Sequence, residues 1–481
     1  MNKKLVFNVT GKLLLAISGI LLLPALISAI YQEKSLWAFL ITSLISLIVG
    51  IVLKLLTRGY NNVMYAKEGF LIVALAWVST SLIGSLPFVI SGEIPNFVDA
   101  FFETCSGFST TGASIVGDVE ALSHGILFWR SFTHWIGGMG VLVFMIAFIS
   151  NISDRSIHIL RAEMPGPIVG KLTPRAKDTS KVLYIIYFVM TVVQVVLLTA
   201  GDMNFFDSLL HTFGTAGTGG FGIKSDGLAG YSSYSQWIIT IFMFLFGVNF
   251  NLYYLILVKR FNTAIKSSEL WVYFGIVMVA GILITANISD LYTNLSSAVK
   301  DAFFQVVSII TTTGYSTADF DLWPTLSRGI LFILMFTGAC AGSTAGGLKI
   351  SRVVLLFKMI GKEIKKMVHP RSVSAVNFEG KEVDEQTQRS VTTYFAIYVI
   401  SMAIIFFILS FEPFSLETNL SAAVSCFNNV GPGLAGVGPM MNYGAYSNFS
   451  KLILSFAMLL GRLEIFPLII AMIPSTWKKK S

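Results

Sequence analysis

The sequence predicts an all-α polytopic membrane protein: four covalently linked units, each a span, a half-length helix and a second span, set around one pseudo-fourfold axis behind an N-terminal two-helix addition. Three observations carry this expectation. Of 481 residues, 54% are hydrophobic and only 12% are charged, with a mean hydropathy of +0.74, whereas a soluble domain carries about 25% charged residues. Ten stretches are apolar enough to be candidates for a spanning helix, which needs about 20 residues. Between alternate pairs of them one short segment recurs four times in a single register, the sign of an internal repeat.

This composition excludes an ordinary soluble enzyme, a disordered chain and a nucleic-acid-binding domain. Cys105, Cys340 and Cys426 are too few and too scattered for a disulfide framework or a metal site.

The apolar stretches run at 13–31, 35–57, 69–91, 124–150, 181–200, 236–258, 269–289, 327–357, 391–411 and 449–474. They divide the chain into a two-span addition (1–66) and four units at 67–165, 166–265, 266–385 and 386–481. With the N-terminus inside, 27 of the 34 Lys and Arg fall on inner segments, among them the nine from Lys349 to Arg389, while segments 92–123 and 413–447 hold none. Basic residues stay on the cytoplasmic side, so both termini are expected inside and the mouth of the repeat region neutral or acidic. Lys3 and Lys4 before an apolar run also suit a signal peptide, but the run is long for one and is read as the first span.

The recurring segment reads Asp99-Ala-Phe-Phe-Glu-Thr-Cys-Ser-Gly-Phe-Ser-Thr-Thr-Gly112 in the first unit and Asp301-Ala-Phe-Phe-Gln-Val-Val-Ser-Ile-Ile-Thr-Thr-Thr-Gly314 in the third. The same interval joins Asp207 to Gly220 and Thr418 to Gly431. Asp or Thr is expected to cap a helix N-terminus and Gly to end it. Ten to twelve residues at 1.5 Å each make roughly 15 to 18 Å, half of a ~30 Å hydrocarbon core. Irregular backbone at mid-depth is tolerated only where protein buries it or a polar cavity takes it up. The exposed carbonyls and the negative helix ends would then replace the water shell of a cation. Thr110, Thr111 and Gly112, Thr218, Gly219 and Gly220, Thr312, Thr313 and Gly314, and Asn429, Val430 and Gly431 are the expected ion-binding filter. Because each unit contains two crossings, all four share one orientation, unlike inverted-repeat transporters.

Four linked units with one Gly per filter, an Asn429-Val-Gly-Pro-Gly433 fourth filter, and the stretches Gly338-Ala-Cys-Ala-Gly-Ser-Thr-Ala-Gly-Gly-Leu-Lys349 and Gly461-Arg-Leu-Glu-Ile-Phe466 resemble the Trk/Ktr/HKT superfamily of cation transporters. The extra spans before residue 57 are similar to its bacterial TrkH branch and unlike the eight-span KtrB branch. The resemblance covers essentially the whole chain. It implies potassium uptake across the cytoplasmic (inner) membrane of a bacterium, with K+ the bound and transported ion and no covalent cofactor. It also implies a homodimer with a cytosolic nucleotide-binding regulatory subunit of the TrkA type. The channel signature Thr-Val-Gly-Tyr-Gly is absent, so fewer stacked carbonyl rings are expected. In the plant branch a Ser at the first filter glycine goes with sodium preference; here it is Gly112, which favours potassium.

The 327–357 stretch is too long for one helix and is interrupted by small residues. A kink is the plain reading. An unwound loop under the filter, pivoting at Gly342, Gly346 and Gly347, is the functional one, favoured because no such cluster stands in the other second spans. Arg462, mid-span at a cost of at least ~2.5 kcal/mol, cannot pair with Glu464 along its own helix and is expected in the path below the filter, the one strongly basic group there. With the loop it is expected to form the gate, as an electrostatic barrier; the alternative is a structural pair with another helix. Arg130 and His134 are expected to form a structural cluster. The basic loop 358–390 suits both an inner anchor and a partner-docking segment. Gly217-Thr-Gly-Gly-Phe-Gly222 matches a dinucleotide fingerprint in letters but lacks its strand–helix setting. The alternative to channel-like passage is symport of potassium with protons or sodium, which needs acidic residues along the path. No nucleophile or metalloprotease motif suggests an intramembrane enzyme.

Overall fold

The structure, a computed structural model, describes residues 2–59, 65–141, 176–372 and 374–477. The inner part of the 124–150 stretch, Arg155, Arg161, Lys171 and Arg175, the boundary expected at 165, and Lys478, Lys479 and Lys480 lie outside the described residues.

Helices α1 (Lys3–Ile20), α2 (Leu22–Ile30) and α3 (Ser35–Leu56) form the N-terminal addition. Gly11 and Gly50 let α1 and α3 cross closely: a Cβ on Gly50 would lie 3.0 Å from the Gly11 carbonyl oxygen. Small residues at a crossing and hydroxyls bonded across it hold helices together where apolar burial gives little net drive. Here Ser46 Oγ donates to Leu14 O at 2.8 Å and Asn8 Nδ2 to Thr57 Oγ1 at 2.9 Å.

The first spans of the four units are α4 (Ala66–Ser91), α7 (Ala176–Thr199), α12 (Ser268–Ile288) and α16 (Glu385–Leu409). All four, with α1–α2 and α3, are long and apolar enough to cross a membrane. The half-length helices are α5 (Phe97–Phe108), α8 (Phe205–Gly217), α13 (Leu295–Ile310) and α17 (Leu416–Asn428). At 12 to 16 residues they reach or exceed the upper end of the expected length but are still only roughly 18 to 24 Å.

Two expectations are corrected. The register residues are not N-caps. Asn96, Asn204 and Ser415 cap α5, α8 and α17, each three residues earlier, and Asp301 lies within α13. The register residues instead reach other segments: Asp207 accepts the Tyr231 hydroxyl at 2.8 Å, Asp301 that of Thr317 at 2.9 Å, Thr418 the Gly436 N–H at 3.1 Å, and Asp99 pairs with Lys451 at 2.7 Å. The second correction concerns the second spans, which all end or break at one level. Helix α6 (His124–Gly138) ends before Gly140 at φ +87. Helices α9 (Ser233–Phe246) and α10 (Phe250–Leu257) meet at 89°, and the short α11 (Phe261–Ile265) follows. Helices α18 (Asn448–Arg462) and α19 (Phe466–Met472) are parted by Glu464 and Ile465 at φ +54 and +69. Among the described residues, only the third unit fills its break with a long loop, between α14 (Thr325–Leu334) and α15 (Ile350–Val368). That loop is held at its neck by a two-residue parallel pairing of β1 (Thr337–Gly338) with β2 (Leu348–Lys349).

Candidate functional site

Each half-length helix ends in the same way. Thr110, Thr218, Thr312 and Asn429 adopt left-handed φ of +55, +56, +56 and +58. Their N–H groups donate to the carbonyls three residues back (Gly107, Thr215, Ile309, Cys426), and the next N–H groups donate five back (Ser106, Gly214, Ser308, Ser425). This is the Schellman ending, with Thr or Asn where Gly is usual. A β-branched residue in that region is an outlier and holds strain of order 1–3 kcal/mol that the surroundings must sustain. The signal was present in the sequence: position −2 from each filter glycine is polar.

Two residues on, Gly112, Gly220, Gly314 and Gly431 again have positive φ, +78, +68, +81 and +102. What surrounds them closes a ring. A Cβ on Gly112 would strike the carbonyl oxygen of Gly219, one on Gly220 that of Thr313, one on Gly314 that of Val430, and one on Gly431 that of Thr111, all within 2.6 Å. Real Cβ atoms keep 3.0 Å or more. Unit 1 thus touches 2, 2 touches 3, 3 touches 4 and 4 touches 1, always glycine against the carbonyl that precedes the next glycine. Four carbonyls, of Thr111, Gly219, Thr313 and Val430, gather at one level, and glycine is required at all four positions for both dihedral and space.

Side chains behind the ring brace it. Tyr443 Oη donates to Gly431 O at 2.8 Å and Ser308 Oγ to Tyr315 O at 2.6 Å. Buried Glu103, which sequence reading passed over, pairs with Arg130 at 2.7 Å and accepts the Ile115 N–H at 3.0 Å. Arg130 also reaches Gly222 O and covers the Phe221 ring at 4.3 Å, so this pair joins filters 1 and 2. His134 Nδ1 lies 2.8 Å from Gly107 O, and its Nε2 takes the Phe221 N–H at 3.3 Å. That fixes a neutral ring with the proton on Nδ1, within the expected structural cluster. The Gly217–Gly222 stretch is the second unit's part of the glycine–carbonyl ring and the irregular segment that leaves it.

Above the ring lies a cavity of about 150 Å³, floored by the four glycines. Its charged lining residues are Arg130, paired with Glu103, and Lys224, so this cavity is lined by basic side chains where a neutral or acidic mouth was expected. Lys224 Nζ sits 4.1 Å from the Tyr231 ring centroid.

Below the ring the third unit's loop is pinned from every side. The Gly346 N–H donates to Thr312 Oγ1 at 2.7 Å, directly beneath the filter. Arg462 spans two units, giving Nη1 to Thr344 O at 2.6 Å and Nη2 to Gly137 O and Gly138 O at 2.6 and 2.5 Å. It is not alone. Lys349, counted from the sequence as an inner anchor, is 1% exposed and its Nζ donates to Ala345 O and to Gly346 O. Arg352, from the same set, is buried against Glu464. Gly342 and Gly347 have φ of +69 and +64. Gly346 does not; a Cβ there would meet Asn429 Cβ at 2.7 Å, so the loop packs closely on the fourth unit at this point. A cavity of only about 10 Å³ remains between the loop, Gly461, Arg462 and Glu464.

Comparison with known proteins agrees with this architecture. The TrkH family model, described as a cation transport protein, matches residues 35–271 and 270–479. The chain is 34% identical to the Trk system potassium uptake protein TrkH of Salmonella typhimurium and 33% identical to that of Escherichia coli, in both cases over 100% of each chain. It superposes on the crystal structure of the potassium transporter TrkH from Vibrio parahaemolyticus with a TM-score of 0.90 at 31% identity, over 99% of this chain and 100% of that one.

Proposed function

The chain belongs to the TrkH family of cation transport proteins, and from that premise we propose that it takes up potassium across the cytoplasmic membrane of a bacterium by channel-like permeation. The ion would pass through the ring of Thr111, Gly219, Thr313 and Val430 carbonyls. The closed cycle of glycine–carbonyl contacts carries this reading: it gathers oxygen donors at the negative ends of four helices, the arrangement that substitutes for a hydration shell. Potassium is the ion that the relatives' names give. Thr110, Thr218, Thr312 and Asn429 set the lower edge of the filter, and both termini lie inside.

Gly342, Gly346, Gly347 and Arg462, with Lys349 added, form the gate in this reading. The loop packs against Gly461, Arg462 and Glu464 leaving a cavity of about 10 Å³, at the lower bound of what one water needs, and in this reading that packing shuts the path. Symport would call for a carboxylate along the path able to take and release a proton. Glu464, the candidate from the sequence, is ion-paired with Arg352. We further read the protein as the membrane component of a larger Trk system, a homodimer with a TrkA-type nucleotide-binding subunit on its inner face. The test is rubidium or potassium flux in proteoliposomes, with the pH gradient clamped and then free. Flux indifferent to the proton gradient supports the channel reading; a fixed proton-to-potassium ratio overturns it.

A further inference from the structure

The anchors of the third unit's loop are of two kinds. Arg462, Lys349 and Thr312 hold it from the filter side. On the other side stands Glu269, in the first turn of α12 and 4% exposed. Its Oε1 accepts the Ala341 N–H of the loop at 2.8 Å and the Ser351 N–H at 3.0 Å. Ser351 lies in the first turn of α15, where backbone N–H groups have no helical partner and a carboxylate is favoured. One side chain thus fixes both the loop and the helix into which it runs. Among the described residues it is the only carboxylate that accepts a hydrogen bond from this loop.

Glu269 is itself held. Its backbone N–H donates to Glu379 Oε1 at 3.0 Å, which also accepts the hydroxyls of Ser267 at 3.1 Å and Ser268 at 3.0 Å. Glu379 stands at the tip of a hairpin formed by β3 (Asn377–Phe378) and β4 (Lys381–Glu382). Phe378, Val376 and Val383 pack with Leu355 of α15 and Val391 of α16 in an apolar cluster separate from the main core. Lys358 of α15 donates to Asn377 O at 2.8 Å. The contacts close a circuit: hairpin to α12 through Glu379, α12 to the loop and the start of α15 through Glu269, and α15 back to the hairpin through Leu355 and Lys358. While it is intact, the start of α15 cannot leave α12, and the loop cannot leave the filter.

Beside the loop, bounded by Ala341, Ser351, Glu269, the hairpin and α10, lies a cavity of about 870 Å³, large enough to receive a displaced loop. Taking the loop as the gate, we propose that Glu269 and Glu379 act in series as a positioning strut that keeps it shut, with the 377–382 hairpin as the strut's foot on the face away from the filter.

The loop carries its own reporter, Cys340, which is fully buried in the shut arrangement. The full-length protein, with Cys105 and Cys426 changed to alanine, is reconstituted in liposomes; potassium flux and the rate of maleimide attachment to Cys340 are both measured. Glu269→Ala and, independently, the exposed Glu379→Ala are expected to raise both readouts at least about tenfold, the scale set by losing charge-assisted hydrogen bonds. Glu379→Gln, which keeps an acceptor oxygen, should fall between Glu379→Ala and the parent. The exposed Asp290→Asn, beyond the far end of α12, should change neither readout. A role confined to fold stability would lower the yield of folded protein without faster labelling or greater flux per molecule. If Arg462→Ala or shortening of 340–347 raises flux while Glu269→Ala and Glu379→Ala do not, the strut is wrong and the gate stands. If none of them raises flux, the gate fails and the strut with it.

Discussion

Gly431→Ala is the most informative single change in the carbonyl ring because it is the mildest. A Cβ there would lie 2.6 Å from Thr111 O, against closer approaches at Gly112, Gly220 and Gly314. Restoring the 3.0 Å that real Cβ atoms keep moves the carbonyl, or the fourth filter strand, by about 0.4 Å, a small change for the fold and a large one for a ring that must match an unhydrated ion. Backbone strain adds to this. At φ +102 an L-residue is penalised by about 1–2 kcal/mol, a factor of roughly 5–30 in population. If that strain falls on the filter alone, the fraction of molecules with an intact ring drops by the same factor. Potassium flux in proteoliposomes should therefore fall about 5- to 30-fold, and the potassium-to-sodium permeability ratio should fall with it, while thermal unfolding stays close to the parent. Gly314→Ser, with a nearer clash, should lose more selectivity. Gly329→Ala, where nothing lies within 4 Å and φ is not positive, is the control and should be silent. Parental flux and selectivity in both Gly431→Ala and Gly314→Ser would refute the assignment of the ring as the selective element.

Arg462→Ala releases the carbonyls of Thr344, Gly137 and Gly138 and should raise resting flux about tenfold or more, since hydrogen bonds to a charged group contribute about 1.5–3 kcal/mol each; flux equal to the parent would remove Arg462 from the gate. Arg130→Ala strands buried Glu103 and should cost about 3–5 kcal/mol, seen as a lowered unfolding midpoint in detergent; pairing it with Glu103→Gln should restore part of that loss. In the loop after α7, burial opposes ionisation of Asp202, but the Ser232 and Ser235 hydroxyls and the Ser232 N–H outweigh it and pull its carboxyl down to about 2. A folded pKa below the ordinary value means that its contribution is complete above about pH 4 and fades as pH falls toward 2. Proteolysis of the 200–232 segment should accelerate over that window in the parent, and Asp202→Asn should already be cleaved faster at neutral pH.

The spans were legible because lipid sets their length and composition. The register of the four filters was legible because ring closure demands glycine at one position in each unit, and nothing else substitutes there. What escaped was whatever depends on contacts between units. Asp99, Asp207 and Thr418 look like caps because they open the apolar run, but the Asn or Ser three residues earlier takes that role and frees them to brace distant segments. Lys349 sits at the end of an apolar stretch, so hydropathy sorts it to the inner surface; only the fold of the loop turns it back under the filter. Glu103 lies 27 residues from Arg130, with no periodicity to connect them. The breaks after Gly247 and Gly461 were missed because one glycine in an apolar run carries little weight, whereas the small-residue cluster of the third unit could not be overlooked.

The uneven floor beneath an even ring follows from geometry. The ring imposes the same demand on every unit, and all four answer with the same Schellman ending and the same glycine. On the proposed reading, closing the path imposes no such demand: among the described residues a single loop abuts Thr312, Asn429 and Arg462 and leaves a cavity of about 10 Å³ beside it. Four identical subunits would have to carry either four such loops or none. Covalent linkage removes that constraint and lets each unit supply a different part: carbonyls at Gly137 and Gly138 from the first, the seat at Gly247 and Phe250 from the second, the loop from the third, and Arg462 from the fourth. On the proposed reading, selectivity is then the shared property of the four units and closure the joint product of their differences. Substitutions at ring positions should accordingly change which ion passes, whereas substitutions in the floor should change how often any ion does.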